Sequence, residues 1–574
     1  MSTAAEPTRR GLRNRGPVGL YGTLAVAILV VIAAIAVTTA SSAPPALAEY
    51  APQSIQQIKH APPNQNGAFG NPGGAPVGAV TPSATPSASS SPAAKPTAPP
   101  PEVPVDPGHH CVGDPPRQTF DTQSPPCVAS WQGNNGGATT KGVTGTSIRV
   151  YVPGWADAEH THDRVVKDLE TYFNQRFELY GRKFDFFPTA AGGSTMPSAT
   201  GTCADIAAQA KWVASELVVF GALDNGSDSC WYDELGRDKV ISTSGQTTLT
   251  KAEMLKLAPY LWSYPMPGED VLNHTGQFIC SQIGDGNATY SPDPVLQREK
   301  RVWGLIVSAT QTQVPTPSTV LEQQMAKCGL KIAKKVVIQA TSSDDQGQNQ
   351  QDNTAWTQAA SNAVLTMQRS GVTTLICACQ LQAAAVISTN ANSQGYRPEV
   401  IAERSDQNLL AAAWVAAERN AMVEVSSFPR QLVPAQTPFI QAIQEVDPGY
   451  CPCGESLSFL YADFAYEEML LLASGVQMAG PHLTPRSFAD ALHRTVFPNP
   501  PSPLQEGRAG FANGSYSMVM DTVMAWFDNN APSPLQADPP GSWCYVDAGR
   551  RYLDGQWPKA KRLPSSFAGQ PCVT

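Results

Sequence analysis

Strand-like and helix-like segments alternate along the chain, and the alternation runs twice. In the first run Ser147–Val152 reads as a strand, followed by a helix over Asp163–Phe177. The apolar positions Val165, Val166, Leu169, Tyr172, Phe173 and Phe177 of that helix fall at helical spacing. Strands over Lys183–Phe187, Leu217–Gly221 and Val240–Ser242 follow, with a helix over Cys203–Ala214. The second run has strands over Arg301–Val307, Ala333–Ile338, Val372–Cys377 and Val400–Ala402. Its helices are Ser318–Cys328, stopped by Gly329, and Thr354–Ser370, stopped by Gly371. Successive βαβ units imply a mostly parallel sheet with helices on both faces, so two runs predict two α/β sheets. A long apolar helix, Phe459–Gly475, comes later. Met518–Phe527 and Cys544–Leu553 read as closing strands before an Asp554-Gly555 turn.

What precedes the alternation sets the compartment. Residues 1–17 carry Arg9, Arg10, Arg13 and Arg15, and residues 18–40 are an uncharged apolar run. Such a run can cross about 30 Å of hydrocarbon as a helix, with its positive flank in the cytoplasm and the rest of the chain outside. Ala46-Leu47-Ala48 is an A-x-A cleavage pattern, yet the run exceeds a signal core of roughly 7–15 residues. An uncleaved anchor at the cell membrane and a secreted protein cut after Ala48 both remain open, the length favouring the anchor. Residues 41–108, rich in Pro, Ala, Ser and Gly, bury too little to offset their ordering entropy and read as a disordered stalk. Globular composition begins at 109 and continues to 574. Lobe 1 is expected at about 142–264 and lobe 2 at about 300–425, each completed by part of the C-terminal region.

All 12 cysteines lie beyond the apolar run, which suits an oxidising compartment. Twelve cysteines allow roughly ten thousand pairings. Sequence neighbours are expected to pair: Cys111 with Cys127, Cys203 with Cys230, Cys280 with Cys328, and Cys544 with Cys572. The two C-x-C pairs, Cys377/Cys379 and Cys451/Cys453, are expected to cross-link to each other. Zinc knuckles use C-x2–4-C instead. His160-Thr161-His162-Asp163 reads as a helix N-terminus with solvated caps rather than a metal site.

The order of elements resembles the type I periplasmic-binding-protein family, in particular the Leu/Ile/Val-type solute-binding proteins of ABC importers, over roughly Gly142 to Trp557. Tyr172-Phe173-Asn174 followed by Gly181-Arg182-Lys183 is similar to the family's Tyr-x-Asn helix end and Gly-Arg strand start. Ala207–Gly221 resembles the helix and strand that lead to the ligand loop. Val240–Ser244 resembles the Ile-Ser strand end that supplies hydroxyls to the ligand. Ala462–Ala473, with Tyr466, resembles the Tyr-Asp-Ala helix, Gly480–Leu492 the turn and helix after it, and Phe511–Trp557 the terminal segment. The chain departs from the pattern in two places. Thr189–Gly193 replaces an acidic pair, and Ser308-Ala309-Thr310-Gln311 replaces Asp-Tyr-Gly. The resemblance implies two Rossmann-like lobes joined by a hinge, a small-molecule solute between them and an ABC permease as partner.

Open parallel sheets bind ligands at the carboxyl ends of their strands. On lobe 1 that edge is expected to carry Asp224, Asn225, Ser227 and Ser229 on one loop, and Ser242, Thr243, Ser244 and Gly245 on the next. Short hydroxyls and free N–H groups suit a carboxylate or another anionic group. On lobe 2 the edge carries Ser308, Thr310, Gln311, Gln380, Glu403, Arg404 and Asp406. The resemblance implies that Glu403 meets a ligand amine. Trp155 reads equally as a stacking residue or as core. The net charge of −9 excludes counterion-driven nucleic-acid binding. No H-E-x-x-H, G-x-S-x-G, P-loop, S-x-x-K set or G-x-G-x-x-G fingerprint is present, so neither a catalytic residue, a metal nor a cofactor is expected. The alternatives are a membrane-anchored sensor or structural surface protein and, less supported, a secreted enzyme.

Overall fold

The computed structural model describes residues 111–118, 121, 123–153, 161–188, 202–224, 229–245, 249–310, 318–340, 350–379, 381–402, 422–426, 437–452, 456–497, 508–511, 514–532, 541–564 and 572. The basic segment, the apolar run at 18–40 and the stalk lie outside them. No helix among the described residues is long and apolar enough to cross a membrane.

A short hairpin, β1 (Cys111–Val112) and β2 (Arg117–Gln118), comes first. The first α/β run then forms a five-stranded parallel sheet. Its strands are β3 (Ser147–Val152), β4 (Lys183–Pro188), β5 (Gly221–Ala222), β6 (Ile241–Ser244) and β7 (Leu261–Ser263). They lie side by side in the order β4-β3-β5-β6-β7. The connecting helices are α1 (Thr161–Arg176), α2 (Cys203–Trp212), α3 (Ser229–Arg237) and α4 (Lys251–Lys256).

The chain then enters the second lobe with α5 (Gly268–Phe278). Its sheet starts with β8 (Trp303–Thr310), β9 (Ile332–Ala340), β10 (Thr374–Ala378), β11 (Glu399–Ala402) and β12 (Met422–Ser426), connected by α6 (Thr319–Lys327), α7 (Gln350–Arg369) and α8 (Leu381–Ser393). The order β9-β8-β10-β11-β12, all parallel, repeats that of the first lobe. The same strand sequence, second-first-third-fourth-fifth, thus builds both lobes, and each has its topological switch point beside its first strand.

The chain returns to lobe 1 with α9 (Pro438–Val446), α10 (Ser456–Ala479) and α11 (Pro485–Arg494). Ile440, Ile443, Met469, Leu470, Leu472 and Phe488 of these helices join Ile148, Val150 and Phe173 in one buried cluster. Helix α10 is apolar around most of its circumference, which suits a helix enclosed on several sides. Where α10 meets α11, a Cβ at Gly475 would stand 2.1 Å from the Phe488 ring, so only glycine permits that approach.

A last crossing leads to β13 (Asp521–Asp528), which adds antiparallel to β12. The sequence suggests one closing strand over 544–553, but the chain makes two. Strand β14 (Ser542–Tyr545) pairs with residues 525–528 of β13, and β15 (Arg551–Leu553) pairs with 521–523. A 3-10 turn, Asp547–Gly549, separates them, because β13 is long enough to seat two short partners end to end. The strand expected over 217–221 is also shifted. Residues Leu217–Phe220 have strand composition, yet α2 runs on as a π turn over Val213–Leu217, whose Val213 and Ala214 are buried. Val218 then adopts a left-handed backbone (φ 55°, ψ 62°), and β5 is left with two residues.

Disulfides join Cys111 to Cys127, Cys203 to Cys230, Cys280 to Cys328 and Cys544 to Cys572, as the neighbour rule predicts. The C-x-C expectation is corrected: Cys377 bonds Cys379, so the two pairs do not cross-link. Residues i and i+2 of a strand point to one face, and the turn leaving β10 brings these Cα atoms to 5.1 Å, inside the bonding range. Cys451 is also disulfide-bonded, and Cys453 lies outside the described residues.

Candidate functional site

The carboxyl edge of the lobe 1 sheet is built by two consecutive strand ends and one helix. Strand β5 leads into Asp224, β6 ends in Ser242-Thr243-Ser244 and Gly245, and α10 lays Glu468 against both. Helix α10 comes this close because its apolar flanks are locked into the lobe 1 core.

Donors from both strand ends converge on the Glu468 carboxyl. The Asp224 N–H donates to Oε2 at 2.8 Å, and the Thr243 hydroxyl donates to the same oxygen at 2.6 Å. The Gly245 N–H also bonds this carboxyl. A Cβ at Gly245 would lie 2.9 Å from Glu468 Oε1, so the backbone meets the carboxyl where a side chain would not fit. Tyr232, on α3, donates its hydroxyl to Asp224 Oδ1 at 2.6 Å and is hydrogen-bonded to Ser244.

The electrostatics follow from the company each group keeps. Burial, and then the nearby Asp224 carboxylate, push Glu468 up to about 8, against the pull of its hydrogen bonds. Burial, together with Asp224, holds the Tyr232 hydroxyl well above its ordinary range. The edge therefore gathers two carboxyl groups, a phenol and three short hydroxyls, with no cation among the contacts described.

The predicted residues fall as follows. Asp224, Thr243 and Ser244 share this network. Ser242 is buried, and its hydroxyl donates to the Tyr260 carbonyl at 3.2 Å. Ser229 begins α3. On lobe 2, Ser308 is half-buried near the end of β8, and Thr310 is the last residue of that strand. Asn225, Ser227, Gln311, Gln380, Glu403, Arg404, Asp406 and Trp155 lie outside the described residues. Sequence reasoning missed Glu468 and Tyr232. The signal for Glu468 was available: adjacent carboxylates, Glu467-Glu468, directly precede the apolar run Met469–Ala473.

The connections between the lobes complete the geometry. The chain passes between the sheets three times, after β7, after β12 and before β13. The first and third crossings are paired. Ser263 accepts from the Met518 N–H at 2.9 Å and donates its own N–H to Tyr516, and the Val519 N–H donates to Tyr264 at 3.0 Å. Directly beyond, the buried Asp521 is held by the Arg508 backbone N–H at 3.0 Å and Arg551 Nε at 2.8 Å. Among the described residues, one group has metal-like spacing, Asp528, Cys544 and Cys572, and its two cysteines are bonded to each other.

Two parallel lobes of one strand order, joined by three crossings of which the first and third are paired, define a two-lobed α/β architecture. It is the type I periplasmic-binding-protein fold. Solved structures similar to this chain include a solute-binding protein of an ABC transporter from Rhodopseudomonas palustris HaA2 in complex with p-hydroxybenzoic acid. It shares 10% identity, with 74% of this chain and 99% of that one covered, at a TM-score of 0.46. An ABC-transporter substrate-binding protein from Aeropyrum pernix shares 9% identity over 71% of this chain and 96% of its own, at a TM-score of 0.49. A leucine-binding protein from Thermotoga maritima shares 10% identity over 66% and 95%, at 0.43. No protein-family model matches the chain, and no curated protein matches it.

Proposed function

We propose that this chain is an extracytoplasmic solute-binding protein. Its lobes close on a small polar solute, of the size of an amino acid, amide or carboxylate, and present it to the permease of an ABC importer. The apolar run at 18–40 holds the protein at the cell membrane, or cleavage after Ala48 releases it.

The observation that carries this reading is the paired crossing of Ser263–Tyr264 with Tyr516–Val519. A few extended residues that join two rigid sheets can absorb the rotation of lobe closure while the hydrogen bonds between them keep the lobes in register. The carboxyl edge of lobe 1, with its convergent polar groups, is where an open parallel sheet takes a ligand. The disulfides support an oxidising, extracytoplasmic location.

The test is thermal unfolding of the full-length chain, produced in an oxidising compartment, against amino acids, amides, carboxylates, sugars and nucleosides. A solute at a hundred times its dissociation constant stabilises the folded form by about 2.7 kcal/mol, a shift of a few degrees. Recovery of that solute unchanged separates a receptor from an enzyme. A well-folded sample that responds to none of these compounds would overturn the proposal in favour of a sensor or structural surface protein.

A further inference from the structure

We infer that Glu468 is a built-in ligand of the lobe 1 edge: its carboxyl group fills the place where the two strand ends would otherwise hold a solute's carboxylate, so the solute meets this lobe through hydrogen-bond donors, as an amine or a hydroxyl-rich compound. The inference rests on the solute-binding reading and narrows it to a chemical class.

The argument is a count of donors. An anion cradle at two neighbouring strand ends consists of backbone N–H groups and a hydroxyl aimed at one point. Among the described residues that set is Asp224 N–H, Gly245 N–H and the Thr243 hydroxyl, and all three are spent on Glu468. Ser242 and Ser244 do not replace them, since one donates to the Tyr260 carbonyl and the other is bonded to Tyr232. Glu468 is itself buried and anchored by a helix locked in the core, so it is a fixed part of the edge. The group nearest solvent in this network is Asp224, a half-buried carboxyl group whose Oδ1 accepts from Tyr232. A second carboxylate placed against it meets like charge, whereas an ammonium or hydroxyl meets an acceptor.

Two arms test this on the full-length protein. In the first, Glu468→Ala empties the cradle, and acetate at pH 6 is titrated in against chloride. Acetate is expected to raise the unfolding temperature of Glu468→Ala by a few degrees and to leave the wild type and Glu468→Gln unmoved. A folded Glu468→Ala protein that responds equally to acetate and chloride overturns the inference. In the second arm, the wild type is titrated with putrescine, glucosamine and inositol on one side, and with acetate, benzoate and leucine on the other. The expected response is to the first group. Tight binding of benzoate or leucine that Thr243→Val weakens tenfold or more overturns the inference, because the solute's carboxylate would then have displaced Glu468. Should Glu468→Ala not fold, this second arm decides alone. Acetate rescue without any solute response would uphold the built-in ligand and sink the receptor reading, so the two failures are distinguishable.

Discussion

Each lobe buries a glutamate, and the two have opposite company. In lobe 2, Glu399 starts β11 at the amino edge of the sheet. Arg301 grips it with two prongs, at 2.7 and 2.8 Å, and the Thr374 hydroxyl adds a bond at 2.7 Å. In lobe 1, Glu468 lies at the carboxyl edge beside another carboxyl group, held by N–H and O–H donors that carry no formal charge. Burial costs both groups hydration. The guanidinium repays this for Glu399 as an ion pair, while Glu468 answers by binding a proton more tightly. A carboxylate paired with a cation at the edge away from the ligand side ties strands together. One left beside its like, at the carboxyl edge where the proposed solute would bind, is the arrangement expected of a site.

The largest effect expected from this contrast is in lobe 2. Arg301→Met leaves Glu399 as an uncompensated buried charge and should cost about 4 kcal/mol, whereas Arg301→Met with Glu399→Leu should recover most of it. Urea unfolding followed by tryptophan fluorescence measures both. A single-variant loss under about 1 kcal/mol would put the pair on a par with a surface salt bridge and erase the difference between the lobes.

Lobe 1 should respond to pH instead. Glu468 rises from 4.5 unfolded to about 8 folded, so its protonated form is the stabilising one. That contribution is complete below pH 4.5 and is lost as pH climbs through 8. Between pH 5 and 8 the wild type should lose stability relative to Glu468→Gln, which has no proton to release. Parallel pH profiles of the two proteins would refute the raised proton affinity of Glu468.

Lobe 2 supplies the opposite limb. His274 of α5 is buried, its Nδ1 accepts from Trp557 Nε1–H at 3.1 Å, and the Thr522 hydroxyl lies 3.0 Å from the same nitrogen. Burial lowers it from 6.5 to about 4. The folded state therefore prefers the neutral ring. This contribution is complete above pH 6.5 and fades as pH falls toward 4. From pH 6.5 to 4.5 the wild type should lose roughly 2 kcal/mol, and His274→Gln should flatten that limb. Stability is thus expected to decline on the acid side through lobe 2 and on the alkaline side through lobe 1.

How much of this was legible beforehand depends on range. The two α/β runs, and with them the fold, followed from hydrophobic periodicity, because each strand and helix carries its own signal over five to fifteen residues. Four disulfides followed from proximity along the chain. Asp224 and Thr243 lie at the carboxyl edge where the sequence puts them, since that edge is a property of parallel sheets. Their partner was not legible. Glu468 stands more than 220 residues from Thr243 and meets it only because the chain returns to lobe 1 after building lobe 2. The Cys377–Cys379 bond was missed for the opposite reason: it depends on how sharply one strand end turns, which residue identity does not specify.

The smallest difference between the lobes lies in how they end two helices. Helices α2 and α5 both run on as five-residue π turns, Val213–Leu217 and Ile279–Ile283. Each is followed by a residue with positive φ. Lobe 2 uses Gly284 (φ 70°), for which that backbone carries no steric penalty, while lobe 1 uses Val218 (φ 55°). A β-branched residue there costs roughly 1–2 kcal/mol against its Cβ. Val218 recovers little by packing, since 41% of it is exposed. Glycine would remove the penalty but add unfolded-state entropy of roughly 0.5–1 kcal/mol. Val218→Gly should therefore stabilise the protein by something under about 1 kcal/mol, read as a small rise in the unfolding midpoint. A fall instead would mean that the stiffness of Val218 helps to hold the Val219–Leu223 segment in line, and with it the Asp224 N–H aimed at Glu468.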